Sequence, residues 1–364
     1  MSPVKRGRTT GRTRATGQQL VVLPEDGMTP LLAAIRAARE SILVKMFLFT
    51  ELRLIRALAA ARKRGVTVRV MLNPARRSGE SDNDDAKRRL RAAKIVVKDT
   101  HPAFDVSHEK SMVVDGASAF VESHNWAPKN FGKTRDYAVI TRNPEEIDEV
   151  RQGFEADWSR SDFGSGDRRL IWCRGNGRER IARFIDSARE YLYLQNERYQ
   201  DPTIIERLVA AHGRGVKVHL MSLPPHALKE KKLLEGVAGL RVMADTGIKI
   251  HKLKGLHLHA KMLLADGKRA IVGSMNIAPG SFDSRRELAI ETEDRAVIRR
   301  LERTFRQDWK NSHPIDLSDE GLRADLEKHG IEAESSVSVI APESPKKAKR
   351  AKNAMKTKAK KRSS

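Results

Sequence analysis

The sequence predicts an α/β protein built from two tandem copies of one unit, because strand and helix patterns alternate and the same landmarks occur twice. The run SILVKMFLF at residues 41–49 is almost continuously apolar, which is typical of a strand buried on both faces. Residues 51–64 place apolar side chains at helical spacing, and Gly65 can end that helix. Residues 66–72 then alternate as in a strand. This alternation predicts a largely parallel sheet flanked by helices.

The internal repeat defines the predicted domain boundaries. Two landmarks recur after 150 residues and a third after 151 residues, which indicates a duplicated unit. The landmarks are Ala38-Arg39-Glu40 and Ala188-Arg189-Glu190, Arg64-Gly65-Val66 and Arg214-Gly215-Val216, and the sets Phe154, Asp157, Trp158 and Phe305, Asp308, Trp309, whose aromatic residues we expect in the core. The predicted organisation is a basic arm at 1–19, a first half at 20–165, a second half at 170–315, an appendage at 316–342 and a lysine-rich tail at 343–364.

Positive charge is concentrated at the two ends of the chain, whose formal net charge is +23. Residues 345–364 contain ten Lys or Arg and no acidic residue, and residues 1–19 contain five Lys or Arg and no acidic residue. Because these arms also lack the apolar side chains of a core, we predict that they are disordered. Such arms bind polyanions by counterion release, so the expected partners are an anionic membrane surface or DNA. A purely solubilising role is the alternative.

The composition argues against several classes of protein. No apolar run approaches the roughly 20 residues that a membrane-spanning helix requires. The basic N-terminal residues are not followed by the apolar segment of a secretory signal. The single cysteine, Cys173, excludes a disulfide framework within the chain and a multi-cysteine metal site. We therefore expect a cytoplasmic protein, with peripheral attachment to a membrane through the basic arms as an alternative.

Two short motifs carry the candidate chemistry. Each has a histidine, a lysine two residues later and an aspartate five residues after the lysine, and a polar turn follows. In an extended segment, residues two apart project from the same face, so each His and Lys can approach one phosphate group. The motif residues are His108, Lys110 and Asp115 in the first half and His259, Lys261 and Asp266 in the second, and the turns contain Ser123 and Asn125, and Ser274 and Asn276.

These stretches resemble the phospholipase D superfamily, whose single-chain members carry HxKxxxxD followed by GSxN in both halves. The resemblance extends over both copies of the repeat and implies two tandem α/β/α sandwich domains of the phospholipase D type. The second motif matches in full, whereas the first has Glu122 in place of the glycine and His124 between the serine and the asparagine. The resemblance implies a phosphodiesterase with one active site shared by the two halves.

The chemistry of a phosphodiester and this resemblance together assign roles to the motif residues. Cleavage needs a nucleophile, a proton for the departing oxygen and positive charge at the non-bridging oxygens. Imidazoles have an unperturbed pKa of about 6.5, so two of them can divide the first two tasks. The resemblance implies that His108 attacks to form a phosphohistidine and that His259 is the general acid. Asp115 and Asp266 are expected to brace the strand–turn geometry. The expected phosphate-binding groups are Lys110, Lys261, Ser123, Asn125, Ser274 and Asn276.

Two further acids occupy equivalent positions, 151 residues apart. They are Asp136 in TRDYAVI and Glu287 in RRELAIE. Each can accept the far N–H of an imidazole and so fix its tautomer, and the family often has an acid here. We therefore expect these residues to orient the catalytic histidines. Ordinary ion pairs with Arg135 and Arg286 are the alternative.

The reaction type is better defined by the sequence than the substrate. The resemblance favours hydrolysis of phospholipids or transfer of a phosphatidyl group to an alcohol, as in cardiolipin synthase. A metal-independent endonuclease acting on DNA or RNA is the second hypothesis, and a non-catalytic nucleic-acid-binding protein is the third. Lysine and imidazolium charges can replace a metal ion, so no metal or cofactor is expected. Since one chain contains both half-sites, a monomer suffices for catalysis.

Overall fold

The computed structural model describes four stretches of the chain, residues 17–74, 82–166, 169–228 and 230–330. The elements of the first half are β1 (Gln19–Leu23), α1 (Thr29–Ala37), β2 (Ser41–Met46), α2 (Leu52–Lys63), β3 (Thr67–Leu72), α3 (Asp84–Ala92), β4 (Val96–Asp99), β5 (Val106–Ser107), β6 (Ser111–Val114), β7 (Ser118–Glu122), α4 (Pro128–Gly132), β8 (Thr134–Thr141) and α5 (Pro144–Ser159).

The second half repeats this order of elements. They are β9 (Leu170–Cys173), α6 (Gly177–Asp186), β10 (Tyr191–Asn196), α7 (Pro202–Gly213), β11 (Lys217–Met221), a 3-10 helix (Pro225–Ala227), α8 (Glu230–Asp245), β12 (Lys249–Leu253), β13 (His257–Leu258), β14 (Lys261–Ala265), β15 (Arg269–Gly273), α9 (Pro279–Asp283), β16 (Arg285–Thr292) and α10 (Arg295–Lys310). An extension adds β17 (Ser312–Pro314) and α11 (Asp319–Lys328). The predicted duplication of an α/β unit is confirmed.

Each half contains one mixed sheet. The strand order is β1-β8-β7-β6-β2-β3-β4 in the first half and β9-β16-β15-β14-β10-β11-β12-β17 in the second. Only β2–β3–β4 and β10–β11–β12 are parallel within these orders, and the remaining neighbours are antiparallel. The prediction of a largely parallel sheet is therefore wrong. The helix–strand alternation was read from β2, α2 and β3, whereas β6 and β7 are joined by a turn at 115–117, and so short a connection joins only antiparallel strands.

The two halves extend each other's sheets by one short strand each. β5 of the first half pairs in parallel with the start of β16, and β13 of the second half pairs in parallel with the start of β8. The exchange is reciprocal, as expected for two copies of one unit that face each other. Because each motif follows directly after one of these short strands, the exchange carries both motifs to the boundary between the halves.

The core also joins the halves. Along β1, Leu20 and Val22 belong to a buried cluster that includes most of the second half's core, whereas Val21 and Leu23 belong to the first half's own cluster. This alternation follows from the two faces of a strand. The aromatic residues of the third sequence landmark also pack in or against the shared cluster, as predicted.

Two buried ion pairs connect the halves at equivalent positions. Nε of Arg286 donates to Oδ2 of Asp157 at 2.9 Å, and Nε of Arg135 donates to Oδ2 of Asp308 at 2.8 Å. Lys45 Nζ lies 2.6 Å from the same oxygen of Asp157. Burial raises the pKa of the Asp157 carboxyl, but the charges of Lys45 and Arg286 outweigh this effect and hold the pKa at about 2. Asp157 therefore neutralises two buried cations at the boundary between the halves.

Removing this carboxylate is expected to destabilise the whole molecule. In Asp157→Ala, Lys45 and Arg286 stay buried but lose the carboxylate that both of them contact. Removing one partner of a buried ion pair costs about 3–5 kcal/mol of stability. The measurement is the free energy of unfolding in urea. Asp148→Ala is the matched control on the same helix, since Asp148 pairs with Arg151 at the surface and little change is expected. Equal destabilisation by the two substitutions would contradict the assignment.

The appendage contributes one packed helix. Leu322 and Leu326 of α11 are buried in the shared core cluster. Asp325 accepts from the Nδ1 atom of His226 at 2.9 Å, and the ring of His329 stacks on that of His226 at 3.5 Å between centroids. Residues 319–328 are therefore docked on the second half through the 3-10 helix.

The basic arms lie almost entirely outside the described residues, which exclude 1–16 and 331–364. At the end of the predicted N-terminal arm, the structure differs from the prediction. Gln18 is buried and donates to Glu146 at 3.1 Å, and Gln19 begins β1, so the folded unit starts before residue 20. Among the described helices, none combines the length and the apolar character needed to cross a bilayer.

Candidate active site

Each motif begins where a short strand of one half ends on the sheet of the other half. His108 follows β5, and His259 follows β13. The backbone N–H of His108 donates to the carbonyl of Arg286 at 2.8 Å, and that of His259 donates to the carbonyl of Arg135 at 3.1 Å. Both histidines are thus anchored to the opposite half. The charges of His259 and Lys261 act on His108, so the two motifs face one site.

The imidazole of each motif is paired with a buried carboxylate of the other half. Nδ1 of His108 lies 2.9 Å from Oε2 of Glu287, and Nδ1 of His259 lies 2.8 Å from Oδ1 of Asp136. The arginines that precede these acids pair with other carboxylates instead, so the ion-pair alternative is not realised. No described residue hydrogen-bonds to Nε2 of either ring. Nε2 is therefore the nitrogen that can meet a substrate.

The two pairs differ in their electrostatics. Burial and the charge of Lys110 lower the pKa of His108 well below its ordinary value, and burial raises the pKa of Glu287. Burial also raises the pKa of Asp136, but the charge and hydrogen bond of His259 outweigh burial and hold the pKa of Asp136 well below its usual range. These shifts favour the neutral form of the His108 imidazole and the ionised form of Asp136 beside His259.

Each lysine of the motifs is fixed beside its own histidine. Lys110 Nζ donates to the carbonyl oxygen of His108 at 2.5 Å, and Lys261 Nζ donates to that of His259. Both ammonium groups are buried, and burial lowers the pKa of Lys110 to about 7. An ammonium has three N–H donors, so each lysine can also contact a phosphate oxygen.

The two serines have partners different from the predicted phosphate oxygens. Ser123 Oγ donates to Oδ1 of Asp136 at 2.6 Å, and Ser274 Oγ donates to Oε2 of Glu287 at 2.6 Å. Each hydroxyl oxygen also accepts a backbone N–H of the following strand. Since a hydroxyl has one proton, these serines position the carboxylates that orient the imidazoles. Binding of phosphate oxygens by Ser123 and Ser274 stays a prediction.

The two asparagines remain candidates for phosphate binding. Asn125 and Asn276 are buried, and the Oδ1 atom of each has no hydrogen-bond partner among the described residues. Rotation of the amide by 180° exchanges the oxygen and the NH2 group, so either side chain can turn a donor toward a ligand. Their role as phosphate donors stays a prediction that this geometry permits.

The first turn accommodates its two unusual residues in a buried cluster. Glu122 accepts from Nε1 of Trp126 at 2.8 Å, and its Oε2 lies 3.3 Å from Nδ1 of His124. Burial raises the pKa of Glu122. In the second half, a Cβ added to Gly273 would lie only 2.4 Å from Cα of Ala289. Glycine is thus required in the second turn, while the first turn has space for a side chain.

The motif aspartates lie away from the imidazoles and organise a turn. Asp115 accepts the backbone N–H groups of residues 39, 40 and 41 at 2.8–2.9 Å, and Asp266 accepts those of residues 189, 190 and 191 at 2.8–2.9 Å. Both aspartates have a left-handed backbone with φ of 53°. These contacts fix the loop that enters β2 or β10.

Several charged residues near the site escaped the sequence analysis. Lys45 Nζ lies 2.9 Å from Oε2 of Glu109, and Lys261 Nζ lies 2.9 Å from Oε2 of Glu197. Neither Glu109 nor Glu197 has an acidic counterpart in the other half, so the repeat gave no signal for them. The recurrence of Asp157 and Asp308 was visible, but only their aromatic neighbours were interpreted.

One group of possible metal ligands occurs among the described residues. His226, Asp325 and His329 bring ligand atoms within 4.8 Å of one another. They form the contact between α11 and the 3-10 helix, and none belongs to the two motifs. The carboxylates of the site itself, Asp136 and Glu287, are committed to imidazoles.

Comparison with known proteins identifies the family. Residues 31–158 and 181–309 match the family model described as "Cardiolipin synthase, PLD-like domain". Because the two matches cover more than half of the chain, the chain belongs to the family of phospholipase D-like domains. The resemblance inferred from the motifs is confirmed.

Individual relatives are distant. Cardiolipin synthase of Clostridium perfringens (strain SM101 / Type A) is 24% identical over 339 residues, which are 80% of this chain and 68% of that protein. The chain spans only 48% of the length of the Staphylococcus epidermidis cardiolipin synthases that it also matches.

Two solved structures share the fold over most of this chain. Phosphatidylserine synthase from Haemophilus influenzae Rd KW20 has a TM-score of 0.66 and 12% identity, covering 87% of this chain and 93% of that chain. Polyphosphate kinase from Porphyromonas gingivalis has a TM-score of 0.65 and 17% identity, covering 82% of this chain and 48% of that chain. At such identities the likeness shows the fold alone.

Proposed function

We propose that the protein cleaves phospholipid phosphodiesters through a covalent phosphohistidine and transfers the phosphatidyl group to an alcohol or to water. The observation that carries the proposal is the pair of imidazoles in one site, each held through Nδ1 by a buried carboxylate of the opposite half. The description of the matching family model and the likeness to a cardiolipin synthase favour a phospholipid over other phosphodiesters.

In the first step, Nε2 of neutral His108 attacks phosphorus. A P–N bond forms, the bond from phosphorus to the departing alcohol oxygen breaks, and protonated His259 gives its Nε2 proton to that oxygen. Glu287 accepts the Nδ1–H of His108 and stabilises the positive charge that develops on the ring. Asp136 stabilises His259 in its protonated form before the transfer.

In the second step, the acceptor releases the phosphatidyl group. His259, now neutral, takes the proton of an alcohol or a water molecule, whose oxygen attacks phosphorus while the P–N bond breaks. His108 returns to its neutral form, and His259 is again protonated. Lys110, Lys261, Asn125 and Asn276 would hold the non-bridging oxygens in both steps, since fixed donors stabilise the charge that develops there. The basic arms would hold the enzyme at an anionic membrane surface.

Parallel assays on two substrates test the proposal. Wild type, His259→Ala and the surface control His313→Ala are incubated in EDTA with phosphatidylglycerol vesicles or with plasmid DNA. We expect wild type and His313→Ala to turn over the lipid without added metal and His259→Ala to lose that activity. Metal-independent cleavage of DNA that depends on His259, with no lipid turnover, would establish the endonuclease instead. If wild type bound either substrate without turnover, the protein would be a non-catalytic binding protein.

A further inference from the structure

One difference between the two halves lies in direct contact with a motif lysine. Phe47 and Glu197 are equivalent in the repeat, since each lies two residues before an aromatic residue that forms an isolated β-bridge, Phe49 with Trp126 and Tyr199 with Ile277. In the second half, Oε2 of Glu197 lies 2.9 Å from Nζ of Lys261, and both side chains are nearly fully buried. The first half has an aromatic ring in place of this carboxylate.

In the first half, the apolar ring of Phe47 lies beside the histidine and the lysine of the motif. Nζ of Lys110 lies 5.2 Å from the centroid of the Phe47 ring, and the ring of His108 meets it edge-on at 5.0 Å. A ring face attracts an ammonium, but it does not neutralise it as a carboxylate does. Among the described contacts, Lys261 thus has a carboxylate partner from its own half, whereas Lys110 packs against an aromatic ring.

The charged groups near the two imidazoles also differ. The charge of His259 acts on the carboxylates of Asp136 and Glu197, and His108 is hydrogen-bonded to Glu287. The charges of Lys110, Arg285, Lys261 and His259 act on His108. The first half also contains two buried acids of its own, Glu109, which pairs with Lys45, and Glu122, whose carboxyl interacts with Lys110. Burial raises the pKa of Glu197, but the charges of Lys261 and His259 outweigh burial and keep the carboxyl ionised.

We propose that Glu197 is the positioning residue that separates the roles of the two histidines. Its carboxylate, 2.9 Å from Lys261, offsets the positive charge beside His259 and so favours this residue as the general acid, while the apolar ring of Phe47 beside His108 favours His108 as the nucleophile. This inference rests on the proposed function, because it explains why two copies of one motif perform different steps. A negative charge on one side of a duplicated site is sufficient to bias two otherwise equivalent imidazoles.

The test removes the negative charge at position 197 and, in a separate variant, adds a negative charge at position 47. Glu197→Gln keeps the shape and removes the charge, so we expect the alkaline limb of the pH profile of kcat/KM to move down by about one pH unit. Glu197→Asp keeps the charge and is expected to restore the limb. Phe47→Glu adds a carboxylate beside His108, so the acidic limb is expected to move up by about one unit. Phe47→Leu is the matched control, in which neither limb moves.

A second readout does not need turnover. In protein labelled at histidine, NMR follows the protonation of His108 and His259 across the same pH range in all five proteins. In Glu197→Gln, we expect His259 to lose its proton at lower pH than in wild type while His108 is unchanged. Equal loss of kcat/KM at every pH, together with unchanged titration of both histidines, would overturn the role of Glu197. A wild type without turnover would refute the proposed function, and the titrations would still decide this inference.

Discussion

Replacement of His108 by alanine is expected to lower kcat for lipid cleavage by about 10⁴-fold or more, because the variant lacks the atom that attacks phosphorus. Nothing else described at the site replaces it. Lys110 points to the carbonyl of residue 108, and Glu287 is fully buried behind the imidazole. The measurement is the initial rate at increasing vesicle concentrations, from which kcat is the limiting rate at saturating lipid. The midpoint of urea unfolding checks that the variant is folded.

A matched control makes this prediction specific to His108. The control His124→Ala removes another buried histidine of the same half, one that contacts Glu122 and Phe131 instead of the opposite half. We expect that variant to lose stability while retaining far more activity than His108→Ala. If His108→Ala kept more than about one per cent of wild-type kcat, another group would have to be the nucleophile.

Replacement of His259 by alanine is expected to have an effect that depends on the leaving group. With a natural phospholipid, the departing alkoxide needs a proton, and loss of a general acid costs about 10²–10⁴-fold in rate. With a phosphatidyl ester of p-nitrophenol, the leaving group departs without a proton. The first step should therefore stay close to the wild-type rate, while the second step is slow because no base activates the acceptor.

The kinetic signature of this variant is a burst. Stopped-flow absorbance should show one equivalent of nitrophenolate released rapidly by His259→Ala, followed by slow turnover. His108→Ala is the matched control and should show no burst with the same ester. An equal loss of rate with the natural phospholipid and with the nitrophenyl ester would argue that His259 has a structural role and does not transfer a proton.

Much of the fold was predictable because duplication leaves a signal that single elements do not. The offsets of 150 and 151 residues located both copies, and the α/β pattern followed from β2, α2 and β3. Strand direction in the remaining sheet was not predictable, since β6, β7 and β8 have the same apolar composition that parallel strands would have. Local pattern specifies a strand, whereas direction depends on the connections that link it to its neighbours.

The candidate site was predictable in its membership and less so in its contacts. The spacing of His108 and His259 identified the imidazoles, and Asp136 and Glu287 were found as equivalent acids. The sequence could not show that each acid serves the histidine of the other half, because pairing within a half and between halves fits the same spacing. The contacts of the serines and of Glu197 depend equally on distances between segments far apart in the chain.

Trapping of the covalent intermediate tests the central claim most directly. His259→Ala is mixed with the nitrophenyl ester, quenched with alkali and digested, and the modified peptide is located by mass spectrometry. We predict one phosphatidyl group per chain on His108, or the glycerophosphoryl group that remains after alkali removes its acyl chains, with no such adduct in His108→Ala. An adduct on any other residue, or a burst without a protein adduct, would contradict a phosphohistidine on His108 as the intermediate.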